Sequence, residues 1–130
     1  MNVLDLFSGC GGLSAGFELA GFKIAGGVDI DPDCIKTFQS NFPKSKAVYG
    51  NLLEYSDDRI LEDFEDKNID VVVGGPPCQG FSSANRWHKE NTDPRNKLFF
   101  EYLRFVELLK PRAVVIENVR GILTRDRGFA

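Results

Sequence analysis

The sequence is poor in cysteine and histidine and has no long apolar run. Its three cysteines, Cys10, Cys34 and Cys78, form no CxxC pair, which argues against both a disulfide framework and a zinc site. A reducing, cytosolic setting fits this cysteine usage best. No apolar segment is long enough for a transmembrane helix, and residues 1–5 lack the basic-then-apolar layout of a signal peptide. We therefore expect no metal and no membrane contact.

An excess of positive charge is also missing. Sixteen Lys and Arg residues stand against nineteen Asp and Glu residues, so the formal net charge is −3. A self-sufficient nucleic-acid-binding domain usually carries a strongly basic surface. Either the partner is not a polyanion, or the basic surface belongs to residues that this sequence lacks. Repeats, low-complexity tracts and linkers are absent too, so the 130 residues form at most one domain.

Short β-branched runs alternate with amphipathic segments along the sequence. We expect strands at 3–7, 22–28, 47–49, 69–73 and 113–117, and helices at 13–20, from 32, from 56 and from 93. Asp31 is expected to cap the second helix, with Pro32 in its first turn. The alternation predicts a doubly wound parallel α/β sheet, and right-handed crossovers predict the strand order 3-2-1-4-5. Strand five would be an open apolar edge, which is typical of the front part of a larger fold.

The fourth strand runs into the stretch GGPPCQGFS at residues 74–82. Its glycines and prolines predict a sharp turn and a stiffened segment that carries Cys78. Ligands of open α/β sheets gather at the carboxyl ends of the strands, so a nucleophile at Cys78 would be well placed. A free cysteine is more often a small buried hydrophobe, and position alone leaves both interpretations open.

A glycine-rich turn, Phe-Ser-Gly-Cys-Gly-Gly at residues 7–12, joins the first strand to the first helix. Glycines there let the backbone approach a ligand and leave helix N–H groups pointing at it. The dinucleotide spacing GxGxxG is absent, which favours a smaller anionic group over a pyrophosphate. Asp29, at the end of the second strand, is placed to accept hydrogen bonds from ribose hydroxyls. Asp31 and Asp33 are interpreted as solvated turn carboxylates.

GGPPCQGFS resembles the catalytic-loop motif of the cytosine-C5 methyltransferases. Two other stretches resemble motifs of the same family: DLFSGCGG at residues 5–12, its S-adenosylmethionine-binding motif, and Glu-Asn-Val at residues 117–119. The resemblance implies an incomplete Rossmann-like methyltransferase fold over residues 1–130, with S-adenosylmethionine as cofactor and duplex DNA as substrate. A cytoplasmic or nucleoid-associated location in a bacterium would follow.

The resemblance also implies the catalytic residues. Cys78 would be the nucleophile that adds to C6 of a cytosine flipped out of the duplex, and Glu117 the acid beside N3. The sequence does not indicate how Cys78 loses its proton. Further substrate contacts would come from Gln79, Ser82, Arg95 and Asn118.

The cofactor residues follow from the same motifs. Phe7 and Ile30 would contact adenine, and Asp29 the ribose. Asn51 stands where the family usually has Asp, and its amide oxygen can still accept a hydrogen bond from the adenine amino group. The remaining cofactor contacts would be Ser8, Gly9, Cys10, Gly11, Gly12, Leu52 and Pro77.

The family's later motifs are missing from the sequence: a Gln-x-Arg-x-Arg segment, the target-recognition region and a C-terminal cofactor motif. A second chain or a missing C-terminal half would have to supply them. We expect a DNA cytosine-C5 methyltransferase of a bacterial restriction-modification system. The alternatives are a tRNA cytosine-C5 methyltransferase, and an inactive cofactor-binding fragment or one subunit of a split enzyme. A nicotinamide-dependent oxidoreductase would leave Cys78 and Glu117 unexplained.

Overall fold

The structure, a computed structural model, describes residues 1–77 and 97–117. Strands and helices alternate through these ranges. In chain order they are β1 (Asn2–Leu6), α1 (Gly12–Leu19), β2 (Lys23–Asp29), α2 (Pro32–Asn41), β3 (Lys46–Tyr49), α3 (Asp57–Phe64), β4 (Ile69–Gly74), α4 (Lys97–Leu109) and β5 (Ala113–Ile116). Two short 3-10 turns, Leu52–Glu54 and Glu65–Lys67, flank α3.

The strands form one parallel sheet in the order β3-β2-β1-β4-β5, which confirms the predicted architecture. The register aligns the strand ends, because Leu6 pairs with both Val28 and Gly74, and Gly74 pairs with Ile116. The residues that follow β1, β2, β4 and β5 therefore lie along the same edge of the sheet. This carboxyl edge is where a ligand of such a fold is expected.

Successive side chains along each strand point to opposite faces of the sheet and pack into two apolar cores, one on each face. On one face, Leu4, Leu6 and Val72 pack with residues of α3 and α4 such as Phe64 and Phe105. On the other face, Val3, Ile24, Val71 and Val73 pack with Phe38 and Phe42 of the α2 segment. Ile35, Phe38 and Phe42 form an apolar stripe along the α2 segment, and all three are buried. Sheet residues buried on both faces explain why the strands read as continuous apolar runs.

Side-chain caps set two of the helix starts. The Asp31 carboxylate accepts hydrogen bonds from the N–H groups of Asp33, at 2.8 Å, and Cys34, at 3.2 Å. Asp31 is therefore a cap as well as an exposed turn residue. Ser56 caps α3 by accepting from the N–H of Arg59 at 3.2 Å. Each cap satisfies helix N–H groups that have no partner within the helix.

Several predicted boundaries differ from the structure by one residue, and one lies outside the described residues. Phe7 was expected in the first strand, but β1 ends at Leu6, and Phe7 has a positive φ of 61°. The chain leaves the sheet there because the turn toward α1 begins at once. The predicted start of α4 at Asp93 lies outside the described residues, which cover this helix from Lys97.

Strand β5 is the least covered strand of the described sheet. Val114, Val115 and Ile116 remain 36–40% exposed.

No helix in residues 1–77 and 97–117 is long and apolar enough to cross a membrane.

Candidate cofactor pocket and catalytic edge

The glycine turn after β1 is held by backbone contacts to its neighbours. The N–H of Ser8 donates to the carbonyl of Val28 at 3.1 Å, and the N–H of Gly11 donates to the carbonyl of Ser8 at 2.9 Å. Gly11 has a φ of 92°, and a Cβ there would lie 2.4 Å from the ring of Phe42. A side chain is therefore excluded at Gly11 by both conformation and space.

A buried carboxylate lies beneath this turn. Asp5 of β1 is 1% exposed and accepts a hydrogen bond of 2.6 Å from the hydroxyl of Ser14 in α1. Burial raises the pKa of Asp5 to about 6, with the charge of Asp29 adding to the rise and the hydrogen bonds from Ser14 opposing it. The N-cap residue of α1, Gly11, offers no side-chain cap, so Asp5 ties the start of this helix to the sheet instead.

Sequence reasoning assigned no role to Asp5 or Ser14. The signal was available, because one carboxylate stands inside the apolar run of β1. A buried carboxylate needs a hydrogen-bonding partner from a neighbouring element.

Asp29, the predicted ribose acceptor, is held by backbone donors. Its Oδ2 accepts from the N–H of Gly9 at 2.8 Å, and its Oδ1 accepts from the N–H of Asp31 at 2.9 Å. A carboxylate offers about four acceptor positions, so both oxygens retain capacity for a further donor. The Gly9 contact also fixes the glycine turn against the end of β2.

A cavity of about 300 Å³ opens beside Asp29 at the carboxyl edge. Six of the predicted cofactor residues line it: Phe7, Asp29, Ile30, Asn51, Leu52 and Pro77. The others in its wall are Gly50, Leu53 and Leu98, which sequence reasoning did not assign. Leu98 comes from α4, and no local pattern could link it to the residues after β1 and β2.

The remaining predicted cofactor residues, Ser8, Gly9, Cys10, Gly11 and Gly12, are not part of the cavity wall. They form the adjoining turn. The Ser8 hydroxyl has no hydrogen-bond partner among the described residues, although Ser8 is only 7% exposed. A buried hydroxyl without a partner is costly, so the Ser8 hydroxyl is free to bond a polar group bound at this turn.

Asn51 already uses part of its amide. Its Oδ1 accepts from the N–H of Leu53 at 3.1 Å, and its Nδ2 donates to Glu54 at 3.3 Å. The amide oxygen has a second lone pair, so the predicted contact with an adenine amino group remains chemically open. Asn51 also caps the 3-10 turn that supplies Leu52 and Leu53 to the cavity.

Arg104 of α4 binds the backbone of the same 3-10 turn. One of its guanidinium nitrogens donates to the carbonyls of Leu52, at 3.2 Å, and Tyr55, at 2.5 Å. Another donates to Asp57 at 2.6 Å. Sequence reasoning missed this contact, since Arg104 lies 49 residues after Tyr55 and no local pattern links the two.

The candidate catalytic edge is the part of the carboxyl edge that carries Glu117, where β4 and β5 end. The N–H of Glu117 donates to the carbonyl of Gly74 at 2.9 Å. Its carboxylate lies against Gly75, because a Cβ on that glycine would meet Glu117 Oε2 at 2.8 Å. The absence of a side chain at Gly75 thus makes room for the carboxylate next to the segment that leads to Cys78.

Tyr102 of α4 holds the two strands of this edge. It is fully buried, and its hydroxyl lies 3.0 Å from the carbonyl oxygen of Val72 and 3.2 Å from that of Val115. Burial is the main reason that the pKa of Tyr102 is raised, so the phenol remains a proton donor at neutral pH. The Tyr102 side chain therefore contacts both β4 and β5 within two residues of their carboxyl ends.

The chain matches a known protein family over its whole length. The family model described as C-5 cytosine-specific DNA methylase matches residues 1–130. The chain belongs to this family. The predicted family and the predicted fold are thereby confirmed.

Curated members of the family are similar over almost the whole chain. The Type II methyltransferase M1.HphI of Haemophilus parahaemolyticus is 43% identical over 98% of this chain and 35% of its own length. M.AquIA of Picosynechococcus is 39% identical over 99% of this chain and 52% of its own length. The chain thus spans about a third to a half of these two relatives.

Solved structures of methyltransferases are similar as well. A putative DNA modification methyltransferase encoded within an E. coli prophage is 40% identical with a TM-score of 0.80, over 96% of this chain and 34% of that one. A Spodoptera frugiperda DNMT2 variant is 25% identical with a TM-score of 0.68, over 97% of this chain and 38% of that one.

Several site residues expected from the cytosine-C5 methyltransferase motifs lie outside the described residues. These are Cys78, Gln79, Ser82, Arg95 and Asn118. The described ranges, 1–77 and 97–117, contain no cluster of three or more side chains able to hold a metal ion.

Proposed function

We propose that the chain supplies the cofactor pocket and the catalytic edge of a DNA cytosine-C5 methyltransferase from a bacterial restriction-modification system. The observation that carries this proposal is the position of the cavity. It is lined by six residues of the cofactor motifs, and one of them, Pro77, directly precedes Cys78. The Glu117 carboxylate lies against Gly75 on the same edge.

The residues of the pocket fit S-adenosylmethionine. The cavity wall is mostly apolar and takes Phe7, Ile30 and Leu52 from three separate turns, which suits a flat adenine ring. Asp29 retains acceptor capacity for ribose hydroxyls, and the glycine turn before α1 suits a carboxylate. The Ser8 hydroxyl, which has no partner among residues 1–77 and 97–117, supports a polar group at that turn.

The chemistry requires activation of a poor nucleophile. Cytosine C5 does not attack a methyl donor while the ring is aromatic, but addition of the Cys78 thiolate at C6 makes C5 an enamine carbon. The charge that this addition creates falls toward N3 and O2, where the Glu117 carboxyl would stabilise it. Bound S-adenosylmethionine supplies the methyl group as a sulfonium. The target base has to leave the duplex for Cys78 to reach C6.

DNA recognition is proposed to need more than this chain. Its charge of −3 offers little attraction for a polyanion, and the two curated relatives are two to three times longer. We assign target recognition to a second chain or to a C-terminal half. The bacterial relatives support a cytoplasmic or nucleoid-associated location.

The deciding experiment measures labelled methyl transfer from S-adenosylmethionine to mixed-sequence duplex DNA and, in parallel, to tRNA. The chain and its Cys78→Ala variant are compared, and cofactor binding to each is measured by calorimetry. Label in DNA that the variant abolishes, with equal cofactor affinity in both proteins, is the expected result for an active chain. Label in tRNA alone would instead select the tRNA methyltransferase.

If neither DNA nor tRNA is labelled, there are two explanations, and the calorimetry distinguishes them. If both proteins bind the cofactor, the chain is one part of a split enzyme, and adding the other part should restore transfer. If neither binds, the chain is an inactive fragment and the proposal is wrong for this chain.

A further inference from the structure

Two cysteines meet at the rim of the cofactor turn. Cys10 belongs to the turn and Cys34 to the first turn of α2, and their sulfur atoms lie 3.9 Å apart. Both are free thiols; Cys10 is exposed and Cys34 is half-buried. The proposed methyl transfer uses neither thiol, since its nucleophile is Cys78.

The backbones that carry the two sulfurs are fixed relative to each other. The side-chain amide of Asn41, at the end of α2, donates to the carbonyl of Cys10 at 3.0 Å. The Asp31 carboxylate accepts from the N–H of Cys34 at 3.2 Å. The packing of Gly11 against Phe42 adds a second contact between the turn and the α2 segment. The sulfurs are therefore held as neighbours by the fold.

We propose that Cys10 and Cys34 form an oxidation site, at which a peroxide-class oxidant joins the two thiols in a reversible disulfide. A covalent bond needs the sulfurs at about 2 Å, so they have to approach by about 2 Å from their present separation.

The step balances in two parts. The Cys10 thiolate attacks hydrogen peroxide, the O–O bond breaks, and hydroxide leaves with its electron pair, giving a sulfenic acid on Cys10. The sulfur of Cys34 then attacks the Cys10 sulfur, the S–O bond breaks, and the hydroxyl leaves with the proton of Cys34 as water. Two thiols are oxidised by two electrons in total, and one peroxide becomes two molecules of water.

The surroundings favour Cys10 as the residue that reacts first. The hydrogen bond shared with Cys10, partial burial and the neighbouring carboxylate of Asp31 raise the pKa of Cys34 to about 11. Cys34 therefore stays a neutral thiol at physiological pH. The exposed Cys10 meets the oxidant, and Cys34 is the resolving partner.

The proposal is tested by mass mapping of the whole chain. Trypsin places the three cysteines on separate peptides, Cys10 on 1–23, Cys34 on 24–36 and Cys78 on 68–86. After treatment with hydrogen peroxide, we expect peptides 1–23 and 24–36 to be linked, with a mass about 2 Da below their sum because two hydrogens are lost. Dithiothreitol should release the two peptides.

Two matched variants complete the test. In Cys34→Ser, the linked peptide should vanish and Cys10 should be trapped as a sulfenic acid by dimedone. In Cys10→Ser, Cys34 should remain alkylatable after the same treatment. A link between Cys78 and either of the other cysteines, or independent overoxidation of Cys10 and Cys34 in the unaltered chain, would overturn the proposal.

A second arm rests on the proposed function. If the glycine turn holds part of S-adenosylmethionine, saturating cofactor should shield Cys10 and slow disulfide formation by at least about threefold, since oxidation follows exposure. An unchanged rate, with peptides 1–23 and 24–36 still linked, would count against the cofactor assignment of the turn and leave the oxidation site intact.

Discussion

The two halves of the carboxyl edge are built by different means. At the ends of β1 and β2, hydrogen bonds to the carboxylates of Asp5 and Asp29 hold the backbone. At the ends of β4 and β5, close packing at Gly74 and Gly75 sets the path of the chain. The half that carries the proposed cofactor residues (the cofactor half) therefore depends on charge and hydrogen bonds. The half that carries Glu117, the proposed acid (the catalytic half), depends on space. Substitutions that remove one feature should affect one half and spare the other.

Glu117→Gln is expected to give the largest effect, a loss of methyl transfer with no change in cofactor affinity. The amide keeps the shape beside Gly75 but cannot act as an acid, so methyl transfer should fall about 10²- to 10⁴-fold. The dissociation constant of S-adenosylmethionine should stay unchanged, because Glu117 is not part of the cavity wall. Transfer is measured with labelled cofactor, in the form of the protein that carries the activity. Residual transfer above about one tenth would contradict the role of Glu117.

Gly74→Ala tests whether the catalytic half depends on space. The added Cβ would lie 2.2 Å from the carbonyl oxygen of Leu6 and 3.1 Å from the ring of Tyr102. Since neither neighbour can move without disturbing the sheet, the free energy of unfolding should drop by about 3 kcal/mol.

Gly16→Ala is the matched control for this substitution. Its Cβ would meet no atom within 4 Å in the exposed face of α1, so urea denaturation should show a gain of about 0.5–1 kcal/mol. Equal effects of the two substitutions would mean that the packing at Gly74 is unimportant.

Asp5→Asn tests how the buried carboxyl group in the cofactor half changes the stability of the chain with pH. The pKa of Asp5 is about 6 in the folded chain against an ordinary 3.8, so the folded state binds the proton more tightly. The contribution of Asp5 to stability is then fully present below about pH 4 and is lost as the pH rises through 6. Relative to the variant, the unaltered chain should lose up to about 3 kcal/mol of unfolding free energy between pH 4 and pH 7. Parallel stability curves for the two proteins would show that Asp5 titrates normally.

The smallest expected effect concerns Phe7, which borders both the cavity and the core. If the ring lies against adenine, Phe7→Ala should weaken S-adenosylmethionine binding by roughly 1–3 kcal/mol in calorimetry. Leu19→Ala, at a side chain that is 91% exposed and outside the cavity wall, is the control and should leave the affinity unchanged. The same affinity in both variants would assign Phe7 to the core alone.

Most of the fold could be predicted because its signals are local. Alternation of apolar runs and amphipathic segments predicted five parallel strands and their order, and Asp31 and Ser56 predicted two helix starts correctly. The end of β1 was misjudged by one residue, because Phe7 is apolar enough to extend a strand pattern but adopts the positive φ of a turn.

The candidate site was predicted less completely, for a physical reason. Motif residues such as Asp29 and Pro77 follow strands directly, so their placement at the carboxyl edge could be deduced. Leu98, Tyr102 and Arg104 of α4 contact this region as well. They are far in sequence from the residues they contact, and hydrophobic periodicity carries no information about such contacts. Their roles exist only once α4 packs on the sheet.

The sequence by itself determined the parallel α/β sheet, the glycine turn and the motif residues, because hydrophobic periodicity and turn chemistry act over a few neighbouring residues. Tertiary structure alone decided the burial of Asp5, the contact of Glu117 with Gly75 and the meeting of Cys10 with Cys34. These depend on how separate elements pack, and packing between elements distant in sequence is not encoded in any single stretch of the chain.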